Sequence, residues 1–280
     1  MSQVTGHKLK IGIIGCGNMG TALVENLAKT VGPGRIIVFD RETAKQESLI
    51  KGFKVGGAAS AFELIEKSDI VIIAVKPQDI DNILDLLKGC RDKLVVSIAA
   101  GKTLEYLASK IGAEVPIVRA MPNLNALVQA STTGSSINLS VLPLQKKAVE
   151  EIFDSIGTVV PIDENLMNAF TAICGSGPAF VAYVMTDLTT EQIRDVFVQE
   201  ALAFGFQRSA AETMAQKTIE GTLKILRLNF DRDVFIKKVC SKGGTTEAGI
   251  KVLEQKGKTA EALSLAVRAA ARRAEELSRG

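Results

Sequence analysis

Short runs of β-branched residues alternate with helix-like segments from residue 9 to residue 161, and this alternation constrains the fold most. The runs read LKIGIIG, RIIVFD, DIVIIAV, LVVSIAA and PIVRAM, and the segments between them have the period and length of helices. Strands that alternate with helices indicate a parallel sheet covered on both faces. We therefore predict an α/β fold with a parallel sheet in the N-terminal half.

The sequence changes character near residue 163. Residues 164–280 are rich in Ala, Leu, Glu and Lys and have few strand-like runs, which predicts a bundle of helices. We place the boundary of two domains there, with the sheet domain at 1–162 and an all-helical domain at 163–280. The segment TAEALSLAVRAAARRAEEL carries an apolar stripe at helical spacing, for packing within its own bundle or against a second subunit.

A glycine motif follows the first strand-like run. IGIIGCGNMGTALVENL places Gly15, Gly17 and Gly20 between a strand and a helix. In a dinucleotide-binding turn the first glycine permits a tight bend, the second lets a pyrophosphate approach the backbone, and the third permits close helix packing. Asp40 ends the next run, where a carboxylate accepts hydrogen bonds from a ribose. The N-terminal domain is therefore predicted to be of the Rossmann type and to bind NADPH or NADH.

Charges beside Asp40 bear on which nicotinamide cofactor is preferred. Asp40 repels a 2′-phosphate and so favours NADH. Arg41 and Lys45 offer positive charge to a 2′-phosphate, or lie in solvent at the start of a helix. We expect use of both cofactors, with NADH at least as good as NADPH.

Two loops after later strands are predicted to line the cofactor crevice. Lys76 and Pro77 follow DIVIIAV, and Gly101 follows LVVSIAA. Ligands of open parallel sheets bind outside the carboxyl ends of the strands, where both loops must lie. An exposed loop lysine is an equally simple interpretation of Lys76.

Two glycine-containing segments in the helical half predict a substrate site. ICGSGPAF supplies Ser176 and Gly177 between two apolar helical stretches, and is otherwise a helix–helix corner. CSKGGTTEAG places Gly244 and two threonines at the start of a helix, where successive N–H groups bind an anion. A small carboxylate fits this site, although an ordinary threonine cap explains the pattern as well.

Composition excludes several classes of function. The formal net charge is +3 with no basic block, so nucleic-acid binding has no support, and no apolar run is long enough to cross a membrane. The spacing of the four cysteines fits neither a metal site nor a disulfide framework, and the lack of a signal-peptide core agrees with a cytoplasmic protein. The single histidine, His7, lies near the N-terminus, which excludes histidine-based triads and most zinc chemistry.

The motifs resemble those of the pyrroline-5-carboxylate reductase family along nearly the whole chain. The resemblance rests on IGIIGCGNMG, AVKP, VVSIAAG, VRAMPN, GSGPAF and VCSKGGTTEAGIKVLE, in that order. It implies hydride transfer from NAD(P)H to the C=N carbon of 1-pyrroline-5-carboxylate, which gives L-proline. It also implies a C-terminal dimerisation domain that interleaves with a partner, and assembly of dimers into larger oligomers.

Residue roles follow from the resemblance by position. The matched cofactor-binding residues are Gly15, Gly17, Asn18, Met19, Gly20, Ala74, Val75, Lys76, Pro77, Ala100, Gly101 and Asn123, to which the residue pattern described above adds Asp40 and Arg41. The matched substrate-binding residues are Ser241, Gly243, Gly244, Thr245 and Thr246, to which the ICGSGPAF segment adds Ser176 and Gly177. Thr246 also matches the threonine whose hydroxyl lies near the ring nitrogen, and is the expected catalytic residue. No metal is implied.

Several positions depart from the family pattern. Lys242 replaces a proline, Leu124 and Asn125 replace Thr-Pro, and Gly56 stands where an asparagine is common. A capping-box pattern at Thr189 and Gln192 lies in an apparent insertion near 187–195 and predicts the start of a new helix. Most of these changes lie in the substrate half, so a reductase of another cyclic imine and a non-catalytic nucleotide-binding paralogue stay open as alternatives.

Overall fold

The computed structural model describes residues 9–228 and 230–279, so the expectation about His7 lies outside the described residues. The strands of the described residues are β1 Ile11–Ile14, β2 Ile36–Phe39, β3 Gly56–Gly57, β4 Ile70–Ile73, β5 Leu94–Ser97, β6 Ile117–Met121, β7 Ser131–Ile137 and β8 Gly157–Pro161. The helices are α1 Asn18–Thr30, α2 Thr43–Phe53, α3 Ala61–Glu66, α4 Asp81–Leu86, α5 Leu104–Ile111, α6 Pro143–Asp154, α7 Met167–Phe170, α8 Gly177–Val184, α9 Thr190–Ala203, α10 Arg208–Arg227, α11 Arg232–Val239, α12 Thr245–Lys256 and α13 Ala260–Arg279.

Residue contacts divide the chain into two units. The first comprises Met1–Ala120 and Ser135–Ile156, and the second comprises Met121–Gly134 and Gly157–Gly280. The predicted domain boundary after residue 162 stays a prediction, while the packing also assigns the MPN segment to the second unit.

A parallel sheet forms the first unit, as predicted. Its strands lie in the order β3-β2-β1-β4-β5-β6, and every neighbouring pair in that series is parallel. All four residues of β1, β4 and β5 are buried, because a parallel strand covered on both faces must be apolar throughout. The carboxyl ends of β1 and β4 are therefore adjacent, and the glycine motif starts there.

Three strands, β3, β7 and β8, were not among the runs predicted from the sequence. β7 reads STTGSSI, and its first four residues are buried. The boundary between the two units falls within β7. In the first unit β7 lies beside β6, and in the second unit it lies beside β8. Gly134 of β7 lies against Phe170, where a Cβ atom would come within 2.8 Å of the ring.

Helices α7 to α13 pack around a large apolar core and a smaller cluster that contains Phe235 of α11, which confirms the predicted all-helical C-terminal region. Phe170, Phe180 and Phe197 are fully buried in that core. α9 begins as predicted, because the Thr189 hydroxyl accepts a hydrogen bond from the Gln192 N–H at 3.2 Å, and the Gln192 side chain accepts one from the Thr189 N–H at 2.9 Å. The apparent insertion is therefore a turn followed by a properly capped helix.

Candidate active site

The three motif glycines differ in the space around them, as a dinucleotide turn requires. Gly15 has a φ of +107°, and a Cβ atom there would lie 2.6 Å from the carbonyl oxygen of Ala74. A Cβ atom on Gly20 would lie 2.0 Å from the carbonyl oxygen of Gly15. Gly17, the N-cap of α1, has no atom within 4 Å of such a Cβ. Open space at the helix N-terminus is what the pyrophosphate of a dinucleotide needs.

A cavity of about 240 Å³ opens beside this turn in the first unit. Its lining residues are Ile14, Gly15, Gly17, Phe39, Asp40, Arg41, Glu42, Lys45, Ala74, Val75, Lys76, Asp79, Asn82 and Ile83. The structure thus brings together seven predicted cofactor residues, namely Gly15, Gly17, Asp40, Arg41, Ala74, Val75 and Lys76. The geometry and the chemistry of this lining fit a nicotinamide dinucleotide.

Other predicted cofactor residues do not line the cavity. Asn18, Met19 and Gly20 form the first turn of α1, and Pro77 starts a 3₁₀ turn at Pro77–Asp79. Ala100 and Gly101 lie in the loop after β5, where Gly101 adopts a φ of +77°. Contacts of these residues with a cofactor stay predictions.

The carboxylate of Asp40 ties the glycine turn to the end of β2. Its Oδ2 accepts a hydrogen bond from the Cys16 N–H at 2.6 Å, and its Oδ1 accepts one from the Glu42 N–H at 2.8 Å. Each carboxylate oxygen retains a further lone pair for a ribose hydroxyl. Burial, and then the charge of Asp40, raise the pKa of the Cys16 thiol to about 12, so this cysteine is not a nucleophile at neutral pH.

Both cations near Asp40 are paired with carboxylates. Arg41 makes a two-pronged contact with Asp79, with Nη1–Oδ1 at 3.0 Å and Nη2–Oδ2 at 3.2 Å. The Lys45 ammonium lies 2.6 Å from Glu42. These pairs are largely exposed and so are weak enough to be displaced by a ligand. A 2′-phosphate has to compete with Asp79 for Arg41.

Three hydroxyl groups meet in the second unit. The Ser176 Oγ lies 2.9 Å from the Thr245 Oγ1, and it accepts a hydrogen bond from the Thr246 Oγ1 at 3.0 Å. Ser176 stands between a π-helical turn, Thr171–Gly175, and α8, while the threonines begin α12. π-Helical turns are frequent at functional sites because they shift side chains out of the regular helical register.

Two N–H groups of the predicted anion-binding turn already donate hydrogen bonds to acceptors within the chain. The Gly243 N–H donates to the Glu247 carboxylate at 2.8 Å, and the Gly244 N–H donates to the Ser241 carbonyl at 3.0 Å. The hydrogen bond from Gly243, and then the charge of Lys251, lower the pKa of Glu247. Within residues 9–228 and 230–279, the N–H groups of Thr245 and Thr246 have no acceptor, as expected in the first turn of a helix.

Asn123 and Gly177 have evident structural roles. The Asn123 Nδ2 donates to the Cys174 carbonyl at 2.8 Å, and its Oδ1 accepts from the Asn125 N–H at 3.2 Å. A Cβ atom on Gly177 would lie 3.0 Å from the Thr218 methyl group, which shows close packing against α10. Their contacts with cofactor and substrate stay predictions.

Sequence reasoning missed several residues of these two sites. Glu42, Asp79 and Asn82 line the cavity, and Glu247 occupies the anion turn. Asp79 lies two residues after Pro77 on a predicted crevice loop, so loop position was the one available signal. No group of His, Cys, Asp and Glu in the described part of the chain is placed to hold a metal ion.

Comparisons with known proteins agree with both halves. Residues 164–277 match the family model for pyrroline-5-carboxylate reductase dimerisation, and residues 10–101 match the model for NADP oxidoreductase, coenzyme F420-dependent. A curated pyrroline-5-carboxylate reductase of Synechocystis is 37% identical over 97% of this chain and 99% of its own length. The Escherichia coli enzyme of that name is 36% identical over 89% of this chain and 91% of its own.

Solved structures give the same result. A pyrroline-5-carboxylate reductase from Coxiella burnetii has a TM-score of 0.67 and 31% identity, and covers 98% of this chain and 100% of its own. The Plasmodium falciparum pyrroline carboxylate reductase, solved with NADP bound, has a TM-score of 0.65 and 26% identity, with 97% and 98% covered.

Proposed function

This chain belongs to the pyrroline-5-carboxylate reductase family, and from that premise we propose how its residues reduce the C=N bond of 1-pyrroline-5-carboxylate to L-proline. The reaction is the last step of proline biosynthesis. NADPH or NADH supplies the hydride, and the chain supplies binding, orientation and donors of hydrogen bonds.

The substrate carboxylate binds at the N-terminus of α12. The observation that carries this proposal is the cluster of Ser176, Thr245 and Thr246 hydroxyls beside the N–H groups of the two threonines, which have no acceptor in the described chain. The positive end of the helix dipole favours an anion there. Ser241, Gly243 and Gly244 shape the turn that leads into the helix, and Gly177 follows Ser176 at the start of α8, where it packs closely against α10.

Thr246 is the residue that we assign to catalysis. Its hydroxyl donates a hydrogen bond to Ser176 and the residue is only 5% exposed, so the side chain is buried and held in one direction. A cyclic imine is basic enough to arrive protonated, and hydride transfer to it depends on orientation more than on a strong acid. The reaction therefore needs no histidine as a general acid, which agrees with a chain whose single histidine is His7, near the N-terminus.

The cavity of the first unit holds the dinucleotide. Gly15, Gly17 and Gly20 admit the pyrophosphate at the N-terminus of α1, with Asn18 and Met19 in that first turn. Asp40 accepts from the adenosine ribose, Ala74, Val75, Lys76 and Pro77 line the crevice, and Ala100 and Gly101 lie towards the nicotinamide; the family resemblance also assigns Asn123 to cofactor binding. NADH binds at least as well as NADPH, since Asp40 repels a 2′-phosphate.

The working form is a homodimer, and we propose that dimers assemble further. A dimerisation family model covers residues 164–277. None of the helices in the described chain is long and apolar enough to cross a membrane. We propose a cytoplasmic location because all four cysteines are free thiols, and we propose no role in nucleic-acid binding because the net charge of +3 is spread along the chain.

A spectrophotometric assay tests the proposal. Purified protein is mixed with NADH or NADPH and 1-pyrroline-5-carboxylate, and loss of the reduced nicotinamide absorbance is followed with formation of proline. Turnover with this imine supports the proposal. Turnover only with another cyclic imine would favour the first alternative, and nucleotide binding without turnover of any imine would favour a non-catalytic paralogue.

A further inference from the structure

Gly243 lies at the centre of the turn that leads into α12, and its backbone is unusual. Its φ is +71°, a left-handed conformation that is costly for residues with a Cβ atom. The Gly244 N–H donates to the Ser241 carbonyl at 3.0 Å and closes a four-residue turn. Gly243 therefore sets the direction in which the chain enters the helix.

Two side chains of opposite charge hold the two sides of Gly243. Its N–H donates to the Glu247 Oε2 at 2.8 Å, and its carbonyl oxygen accepts from the Arg273 Nε at 2.8 Å. Glu247 lies in the first turn of α12, whereas Arg273 lies on α13, thirty residues after the glycine. We call this arrangement of Glu247, Gly243 and Arg273 the glycine clamp.

The glycine clamp determines which N–H groups at the start of α12 are left without an acceptor. Glu247 takes the N–H of Gly243, and the Ala248 N–H returns to the Gly244 carbonyl at 3.2 Å. Thr245, Thr246 and Glu247 lie between these satisfied groups; their N–H groups have no acceptor in the described chain, and those of the two threonines lie beside the hydroxyl cluster. Loss of either clamp contact frees Gly243 to rotate, and the helix start then loses its fixed direction.

Arg273 also balances the charge of the turn. Its Nη1 contacts Glu276 at 2.7 Å, and its Nη2 would lie 3.8 Å from a Cβ atom on Gly243. The guanidinium thus lies next to the turn, and together with the Lys251 ammonium, 3.4 Å from the Glu247 Oε2, it offsets the negative charge that Glu247 brings to the same backbone. A carboxylate ligand is repelled less than it would be by Glu247 alone.

We propose that Glu247 and Arg273 are positioning residues for substrate binding, which clamp Gly243 so that the Thr245 and Thr246 N–H groups meet the substrate carboxylate. The inference rests on the proposed function of this turn. Neither residue touches the reacting atoms, and each acts through the glycine backbone.

Steady-state kinetics of paired variants test the glycine clamp. Arg273→Met and Glu247→Ala each remove one contact, and Arg272→Met and Glu254→Ala remove an exposed charge from the same two helices. We expect the KM for 1-pyrroline-5-carboxylate to rise about tenfold in the clamp variants, with the KM for NADH within about twofold of wild type, since one charge-assisted hydrogen bond is lost. The control variants should keep wild-type values.

Conservative variants separate positioning from folding. Arg273→Lys keeps a donor and Glu247→Gln keeps an acceptor, so both should restore most of the substrate KM. The melting temperature and the inhibition constant of L-proline are measured on every variant. A clamp defect weakens proline inhibition in parallel with the substrate KM while the NADH KM stays constant.

Three results overturn the inference in distinguishable ways. If Thr246→Ala raises the substrate KM but Arg273→Met and Glu247→Ala do not, the clamp is unimportant and the proposed site stands. If all three leave the substrate KM at the wild-type value, the carboxylate does not bind at this turn. A rise in the KM of substrate and NADH together, with a lower melting temperature, would show general destabilisation and would also reject the clamp.

Discussion

The Oγ1 of Thr246 donates a hydrogen bond to the Oγ of Ser176 at 3.0 Å, although seventy positions separate the two residues. The same Ser176 oxygen lies 2.9 Å from the Thr245 hydroxyl. Loss of the Thr246 hydroxyl therefore leaves Ser176 with a partner, and the local fold should survive the change.

Thr246→Ala should lower kcat/KM for 1-pyrroline-5-carboxylate by about ten- to a hundredfold, because a hydrogen bond to a charged group contributes about 1.5–3 kcal/mol. The dissociation constant of NADH, measured by fluorescence titration, should not change. Thr246→Ser is the matched control and should keep much of the activity. Wild-type kinetics for Thr246→Ala would mean that these hydroxyls only cap the helix.

Asp40→Ala should shift the ratio of NADH to NADPH affinity towards NADPH by about tenfold or more, because the ribose loses a charged acceptor worth about 1.5–3 kcal/mol. The absolute affinity of both cofactors should also fall, since the Cys16 and Glu42 N–H groups lose their acceptor. The ratio is therefore the informative quantity. Glu47→Ala, on the following helix α2 but outside the cavity, should leave the ratio unchanged. An unaltered ratio in Asp40→Ala would place the ribose elsewhere.

Asp79→Asn should raise NADPH affinity by about two- to fivefold while NADH affinity stays the same. In the wild type the Asp79 carboxylate is paired with the Arg41 guanidinium, and an exposed ion pair of this kind contributes about 0.2–1 kcal/mol. In Asp79→Asn a 2′-phosphate can bind Arg41 without breaking that pair, so the same free energy is added to NADPH binding. The double variant Asp79→Asn, Arg41→Ala should lose the gain. Equal gains with and without Arg41 would show that Asp79 acts by general charge repulsion instead.

Lys242→Pro should stabilise the protein and should not raise the substrate KM. Lys242 occupies the second position of the Ser241–Gly244 turn, where proline is favoured when the third residue has positive φ, as Gly243 does. A proline whose φ fits the turn raises the free energy of unfolding by about 0.4–1 kcal/mol, because it lowers the conformational entropy of the unfolded chain. Lys242→Ala removes the charge without stiffening the turn. If both variants raise the substrate KM alike, the charge of Lys242 matters more than stiffness.

Thr189→Ala should lower the free energy of unfolding by about 1 kcal/mol, since an N-cap hydroxyl contributes about that amount. The hydroxyl accepts the Gln192 N–H at the start of α9. Urea denaturation at one fixed protein concentration measures the change, because dimer stability depends on concentration. Thr190→Ala, one residue further on, should have a smaller effect. Equal losses of unfolding free energy in Thr189→Ala and Thr190→Ala would mean that the N-cap hydrogen bond is not the cause of the destabilisation.

Local sequence determined most of the secondary structure. The β-branched runs became β1, β2, β4, β5 and β6, and the capping box at Thr189 starts α9 as predicted. Gly15 and Gly20 also have the crowded surroundings that their spacing predicts. These features depend on backbone preferences and on neighbours within a few residues, which a sequence displays directly. β7 was not predicted because STTGSSI has no alternation of apolar and polar residues. Its burial results from packing against residues that are distant in sequence, such as Phe170.

The tertiary structure alone decided which polar groups meet. Asp40 reaches the Cys16 N–H, Arg41 pairs with Asp79, and Arg273 holds the Gly243 carbonyl, across separations of 24 to 38 residues. No local periodicity encodes such pairs, because a hydrogen bond requires atoms about 3 Å apart and that distance is set by the packing of whole helices and strands. The sequence determined that an anion-binding turn starts α12, whereas packing against α13 decided that an arginine holds the carbonyl of that turn.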